Sequence, residues 1–248
     1  MRRRLGADGR WVVVAIDHPL YSWPCHNLVD RARLLRMVTG AGADAVIASY
    51  GTIRDCREAF GSARPILKLD LTTAAVGGHY PVSEYVLAWS LDDARRLGVD
   101  TVLTYIQLGT PFELSALRNA ARVAAACDAA GSTYVCEIMP AEGEPPRAPD
   151  DEALHVAAAC RAGAELGAHV IKTTLPQPPS ALRQATGFGV PVLIAGGAWA
   201  DDRADLLSAA REAMASGAAG VAFGRNVWGA DDPGKVVSAL RDIVHGGG

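Results

Sequence analysis

Short apolar runs alternate with longer amphipathic stretches from one end of the chain to the other. The apolar runs cover residues 12–17, 45–49, 65–69, 101–105, 134–139, 170–174, 190–196 and 220–223. Each is brief, and most are rich in Val, Ile and Leu without clean polar alternation. Strands of a parallel sheet covered on both faces read this way. The stretches between them carry apolar residues at helical spacing, at 28–40, 91–97, 112–130, 151–166, 203–216 and 232–244. In the first of these, Leu28, Ala32, Leu35 and Val38 form the stripe. Ser90 is placed to cap the second, and Gly98, Gly131, Gly167 and Gly217 close four of them ahead of the next strand, as helix C-termini favour.

Strands that alternate with helices predict either a closed (β/α)₈ barrel or a doubly wound sheet. The count of eight, in a chain of 248 residues, favours a single-domain TIM barrel spanning 1–248. Residues 71–87 break the pattern and read as a loop or small insertion. Residues 141–149, rich in Pro, Glu and Arg, read as an active-site loop. No second domain, short repeat or low-complexity tail is visible.

Half of the residues are apolar, so a large core is available, and the net charge of −3 argues against a nucleic-acid or anionic-membrane surface. No apolar run approaches the roughly 20 residues that span a bilayer. The N-terminus is basic but lacks a cleavage-type small-residue site, which predicts no signal peptide and a cytoplasmic protein. Five cysteines, an odd number without a C-x-x-C pair, predict free thiols rather than a disulfide or metal framework. Only three of the 24 basic residues are lysines: Lys68, Lys172 and Lys235. A lysine inside an apolar strand then calls for a reason, because arginine cannot replace its nucleophilic amine.

In a barrel of this kind, chemistry gathers at the C-terminal ends of the strands. Lys172 lies in the sixth apolar run, towards its C-terminal end. An unperturbed lysine, with a pKa of about 10.4, is protonated at neutral pH and cannot attack a carbonyl. A dry pocket or a cationic neighbour frees the amine. The position also suits a lysine that reaches solvent or pairs with a carboxylate. Gly196 and Gly197 follow the seventh run, and Gly224 and Arg225 follow the eighth. Barrels commonly hold phosphate with these two loops, where glycines admit backbone N–H groups and arginine adds charged donors. The plainer alternative is a pair of tight turns. Asp17 and His18 end the first run. Asp17 is placed to orient a hydroxyl or relay a proton, or to cap or pair locally; His18 is a weaker candidate for the same site.

Five segments resemble the DhnA-type class I aldolases over nearly the whole chain: Ala15-Ile16-Asp17-His18, residues 94–100, residues 164–172 ending at Lys172, Ile194-Ala195-Gly196-Gly197, and residues 217–226 ending in Phe223-Gly224-Arg225-Asn226. That family includes archaeal-type fructose-bisphosphate aldolase, an aminodideoxyheptulosonate synthase and a thiolase-like enzyme acting on a phosphorylated autoinducer. The resemblance implies a TIM barrel and a Schiff-base lysine at Lys172. It also implies an assisting Asp17, a phosphate site at Gly196, Gly197, Gly224 and Arg225 with His18 nearby, and no metal or other cofactor. A phosphorylated small molecule is the implied substrate. A homo-oligomer, often a decamer of pentameric rings, is the implied assembly.

The chain departs from the family twice. Aldolases of this type carry a Tyr-Pro pair after the fifth strand, and its tyrosine moves protons; here the pair is Met139-Pro140, and a thioether has no proton to give. Period-two alternation puts Glu137 on the same strand face as Met139. A carboxyl near an imine can shuttle protons, so Glu137 is the nominated substitute, with Tyr105 and Lys68 behind it; its plainer role is an ion pair with Lys68 or Lys172. Pro19 stands where the family usually has Gly, and Tyr21, Trp23 and Trp199 are expected to line the mouth. The expected activity is carbon–carbon bond cleavage or formation on a phosphorylated ketone, in a specialised biosynthetic role. The rivals are a transaldolase-like heptulosonate synthase, a phosphosugar isomerase or transferase that forms no imine, and a non-catalytic phosphosugar-binding barrel.

Overall fold

A computed structural model describes residues 6–20, 26–71, 85–140, 149–197 and 203–246. Eight parallel strands close into a barrel: β1 (Trp11–Ala15), β2 (Ala45–Ala48), β3 (Arg64–Lys68), β6 (Thr101–Gln107), β7 (Thr133–Met139), β8 (Val170–Thr173), β9 (Val192–Ala195) and β10 (Gly220–Phe223). Their order around the barrel is β1-β10-β9-β8-β7-β6-β3-β2. Each barrel strand falls on one of the eight apolar runs, and the closed strand order makes the fold the barrel rather than the doubly wound sheet. The remaining strands, β4 (Asp70–Leu71) and β5 (Val86–Leu87), pair antiparallel as a separate two-stranded ribbon. They flank the stretch read as irregular.

The helices are α1 (Arg31–Gly40), α2 (Tyr50–Asp55), α3 (Leu91–Arg96), α4 (Glu113–Ala130), α5 (Pro149–Glu165), α6 (Leu182–Thr186), α7 (Arg203–Ala215), α8 (Arg225–Trp228) and α9 (Pro233–His245). Six match the expected stretches. The short α2, α6 and α8 have too few turns to show a periodic stripe. Ser90 caps α3 in a reciprocal box with Asp93, which satisfies backbone donors that a helix start leaves open. The four helix-closing glycines all adopt positive φ. No described helix is long and apolar enough to cross a membrane.

Two cores result from the alternation of side chains along each strand. One lies between strands and helices. The other fills the barrel interior with Trp11, Val13, Ala15, Ala45, Ile47, Ile66, Leu103, Val135, Val170, Leu193 and Ala222. Gly220 lies at φ 144°, and a methyl group there would overlap the Trp11 carbonyl oxygen, so strands β1 and β10 meet at this spacing only around glycine. At the N-terminal end of the barrel, His245 bridges Asp8 (Nδ1···Oδ2 2.6 Å) and Asp44 (Nε2···Oδ2 2.8 Å), and Asp44 also accepts from the Val12 amide at 2.7 Å. This clasp ties the last helix to β1 and the start of β2.

Candidate active site

On five of the barrel strands, the inward face followed past the apolar layers ends in a polar residue. Register alone brings these residues together. On β1 the series Trp11, Val13, Ala15 continues to Asp17; on β3, Ile66 leads to Lys68 and on to Asp70; on β6, Leu103 leads to Tyr105. On β7, Val135 leads to Glu137, and on β8, Val170 leads to Lys172. Across the sheet, Tyr105 lies opposite Glu137, and Glu137 opposite Lys172.

Lys172 is only 6% exposed and Glu137 8%. Lys172 Nζ donates to Glu137 Oε1 at 2.5 Å. Of the two lysines open to Glu137, this is the one it meets. Lys68, 2% exposed, pairs instead with Asp70, Nζ to Oδ1 2.9 Å. The rings of Tyr105 and Tyr85 stand 5.5 and 5.9 Å from the Lys68 ammonium. Burial would strip the proton from Lys68, but the carboxylates of Asp70, Asp17 and Glu137 outweigh it and hold this amine charged, above its usual range. A second Asp70 oxygen accepts from the Tyr105 amide at 2.6 Å.

Asp17 is buried, 3.8 Å from His18 Nδ1. Burial pushes His18 below its ordinary range, against the pull of Asp17 and with that of Lys172 and Arg225, so its ring stays neutral. The ring meets Trp228 edge-on at 5.3 Å. It also occupies the space that a side chain at position 224 would need. Gly224 is therefore required first by His18 packing.

Across the mouth, the β9 and β10 loops are laced together. Arg225 Nη2 donates to the Gly197 carbonyl, and Asn226 Nδ2 to the Gly196 carbonyl, each at 2.8 Å. Gly197 has φ 66° and open space where a side chain would be. Gly196 is closed to a Cβ by the Phe223 ring at 2.9 Å. Part of the Arg225 fork is thus spent on holding the loop, while its side chain remains exposed.

Sequence reading placed Lys172, Glu137, Asp17, Gly196, Gly197, Gly224, Arg225 and His18 at this end of the barrel, and the structure brings them there. It gave no role to Asp70, Asn226 or Tyr85. Asp70 was legible as the residue two positions beyond Lys68 on one strand face. Tyr85 had no such signal, because it is placed by the β4–β5 ribbon. Met139 ends β7 on the same face as Glu137, and Tyr105 is tied through its hydroxyl to Gln107 Oε1 at 2.7 Å. Tyr21, Trp23 and Trp199, the 141–148 part of the expected loop, and Cys25 lie outside the described residues. Of the other four cysteines, Cys127, Cys136 and Cys160 are buried and Cys56 is partly exposed. Among the described residues, no group of three or more His, Cys, Asp or Glu side chains is placed to hold a metal.

A barrel with a buried lysine–carboxylate pair beneath two glycine loops narrows the comparison with known proteins. Residues 11–230 match the model of the DeoC/LacD family aldolases. The chain belongs to the DeoC/LacD aldolase family. It is 31% identical over 240 residues to the 2-amino-4,5-dihydroxy-6-oxo-7-(phosphonooxy)heptanoate synthase of Streptomyces griseus, covering 96% of this chain and 86% of that one. It is 32% identical over 243 residues to the 2-amino-3,7-dideoxy-D-threo-hept-6-ulosonate synthase of Halobacterium salinarum, covering 98% and 89%. Among solved structures it matches an archaeal fructose 1,6-bisphosphate aldolase with a TM-score of 0.83 at 27% identity, covering 98% and 96%. A second match, with a TM-score of 0.81 at 26% identity and covering 96% and 95%, holds its catalytic lysine covalently bound to the carbinolamine intermediate of the substrate. These findings fit the DhnA-type resemblance. The protein is an aldolase of the Schiff-base class, which works through a lysine imine and does not require a metal.

Proposed function

We propose that Lys172 is the imine-forming lysine of this aldolase and that it acts on a phosphorylated ketone. The observation that carries this reading is the buried contact of 2.5 Å between Lys172 Nζ and Glu137 Oε1 at the mouth of the barrel. Such a pair can exchange its proton, giving a neutral amine beside a carboxylic acid. The amine nitrogen then adds to the substrate carbonyl to form a carbinolamine. Glu137 returns the proton to the departing hydroxyl, water leaves, and the iminium remains. The electrons of the neighbouring carbon–carbon bond flow into that iminium, releasing an aldehyde and an enamine; synthesis is the reverse. Asp17, buried at the end of β1, takes or returns the proton of the substrate hydroxyl whose carbon becomes the aldehyde.

Gly196, Gly197, Gly224 and Arg225, with Asn226 holding the loop, form the anion end of the site, on the β9–β10 side of Lys172. Backbone N–H groups at the open Gly197 turn and the exposed Arg225 guanidinium suit a phosphate. His18, kept neutral, shapes this end by packing under Gly224. Reductive trapping tests the reading. Borohydride with dihydroxyacetone phosphate should inactivate the protein and add one substrate-derived mass at Lys172, read by peptide mapping. Full activity of Lys172→Ala, or an adduct on Lys68 instead, would overturn it.

A further inference from the structure

We propose that the β3–β6 side of the mouth is the subsite for the part of the substrate remote from the phosphate, and that it takes an uncharged, hydroxylated chain contacted by Tyr85 rather than a second phosphate. This rests on the reading above. With phosphate at the β9–β10 loops and the carbonyl on β8, the rest of the substrate continues over β7 and β6 towards β3, because that is the strand order.

Several observations define what waits there. Lys68 lies at the floor, but it is 2% exposed and paired with Asp70 at 2.9 Å. Rings cover it at 5.5 and 5.9 Å. It has neither the exposure nor the uncompensated charge to receive a phosphate. The charged groups acting most strongly on the Tyr85 phenol are Lys68, Asp70, Glu137 and Asp17; Lys68 is offset by Asp70 and Glu137 by Lys172, which leaves the net negative charge of the Asp17 carboxylate. A second phosphate would meet this excess of negative charge, and like charges set side by side are strongly disfavoured. Tyr85 is anchored from both sides. Its ring packs against Tyr105 at 4.9 Å and Phe112 at 5.6 Å, and its carbonyl accepts from Asn119 Nδ2 at 3.2 Å. The β4–β5 ribbon carries it over the mouth. Burial first, and the nearby carboxylates after it, outweigh Lys68 and hold the phenol protonated, with its pKa pushed up to about 12. A rigid, protonated phenol is a hydrogen-bond donor for a neutral hydroxyl or carbonyl oxygen.

The test uses borohydride trapping on the whole protein, read by intact mass against ligand concentration, with dihydroxyacetone phosphate, fructose 1-phosphate and fructose 1,6-bisphosphate as probes. Fructose 1-phosphate should half-saturate trapping at a concentration at least about tenfold below the bisphosphate, as expected for like-charge rejection. In Tyr85→Phe, the preference for fructose 1-phosphate over dihydroxyacetone phosphate should fall about five- to tenfold, the worth of one hydrogen bond. A purely structural role for Tyr85 would weaken both ligands alike and leave that ratio unchanged, which overturns the subsite. Equal or tighter trapping of the bisphosphate also overturns it, while leaving the imine at Lys172 intact. Absence of an adduct with every probe overturns the imine reading, and this subsite with it.

Discussion

Replacing Glu137 with Gln removes the charge that faces the Lys172 ammonium in a nearly dry site. At 2.5 Å and an effective dielectric constant of about 20, the pair attraction is about 6–7 kcal/mol before desolvation is counted. Withdrawing two ions from water costs several kcal/mol each, so the intact pair contributes little net stability. Breaking it is different, because one buried charge loses its partner. With Lys172 6% and Glu137 8% exposed, Glu137→Gln should destabilise the fold by about 3 kcal/mol, the lower end for a broken buried pair because the amide oxygen still accepts a hydrogen bond. Lys172→Met should cost about 3–5 kcal/mol for the same reason. The double variant Lys172→Met/Glu137→Leu removes both charges and should return to wild-type stability or exceed it by about 1–4 kcal/mol. Urea unfolding followed by tryptophan fluorescence, with Glu137→Leu as the matching single change, supplies the four corners of the cycle. In parallel, Glu137→Gln should lower kcat by about 10²–10⁴-fold through loss of the proton carrier. If the double variant is destabilised by the sum of the two single changes, the side chains are uncoupled and the proton-exchanging pair is refuted.

The His245 clasp makes stability depend on pH. Burial acts to lower its pKa, but hydrogen bonds and charges from Asp8 and Asp44 outweigh this and raise it. Its contribution is therefore full below the unfolded value near 6.5 and is lost as pH rises through the raised folded value. The unfolding free energy from urea titrations should fall between pH 6 and pH 9, by about 1 kcal/mol or less because the Asp8 partner is exposed, and His245→Gln should flatten the profile. Arg225→Ala should weaken inorganic phosphate as a competitor of reductive trapping by about 10- to 100-fold, as expected for a charged hydrogen bond; unchanged competition would remove Arg225 from the anion site. Gly220→Ala should destabilise the barrel by about 2–4 kcal/mol, because φ 144° and the Trp11 carbonyl both exclude a side chain; a wild-type thermal midpoint would contradict that packing.

The sequence by itself determined the eight strands, because a parallel strand buried on both faces must be almost wholly apolar and shows as an uninterrupted run. It also determined the faces. Alternation put Glu137 on the same strand face as Met139 without any structure, and a lysine inside an apolar run marked Lys172. Of the helices of four to six residues, α3 was legible through its Ser90 cap, while α2, α6 and α8 left no trace, since periodicity needs several turns to be seen.

Only the closed barrel decided which charges meet. Glu137 could have faced either lysine. The register that sets it opposite Lys172, together with the capture of Lys68 by Asp70, made the choice. Gly224 shows the same limit, for its sequence suggests a turn open to an anion, while its immediate neighbour in space is the His18 ring. Tyr85 reaches the mouth through a ribbon of two residues per strand, too short to leave a pattern. Periodicity along a chain records which face a residue takes, whereas the partner across that face is set by register and closure, which join positions far apart in sequence.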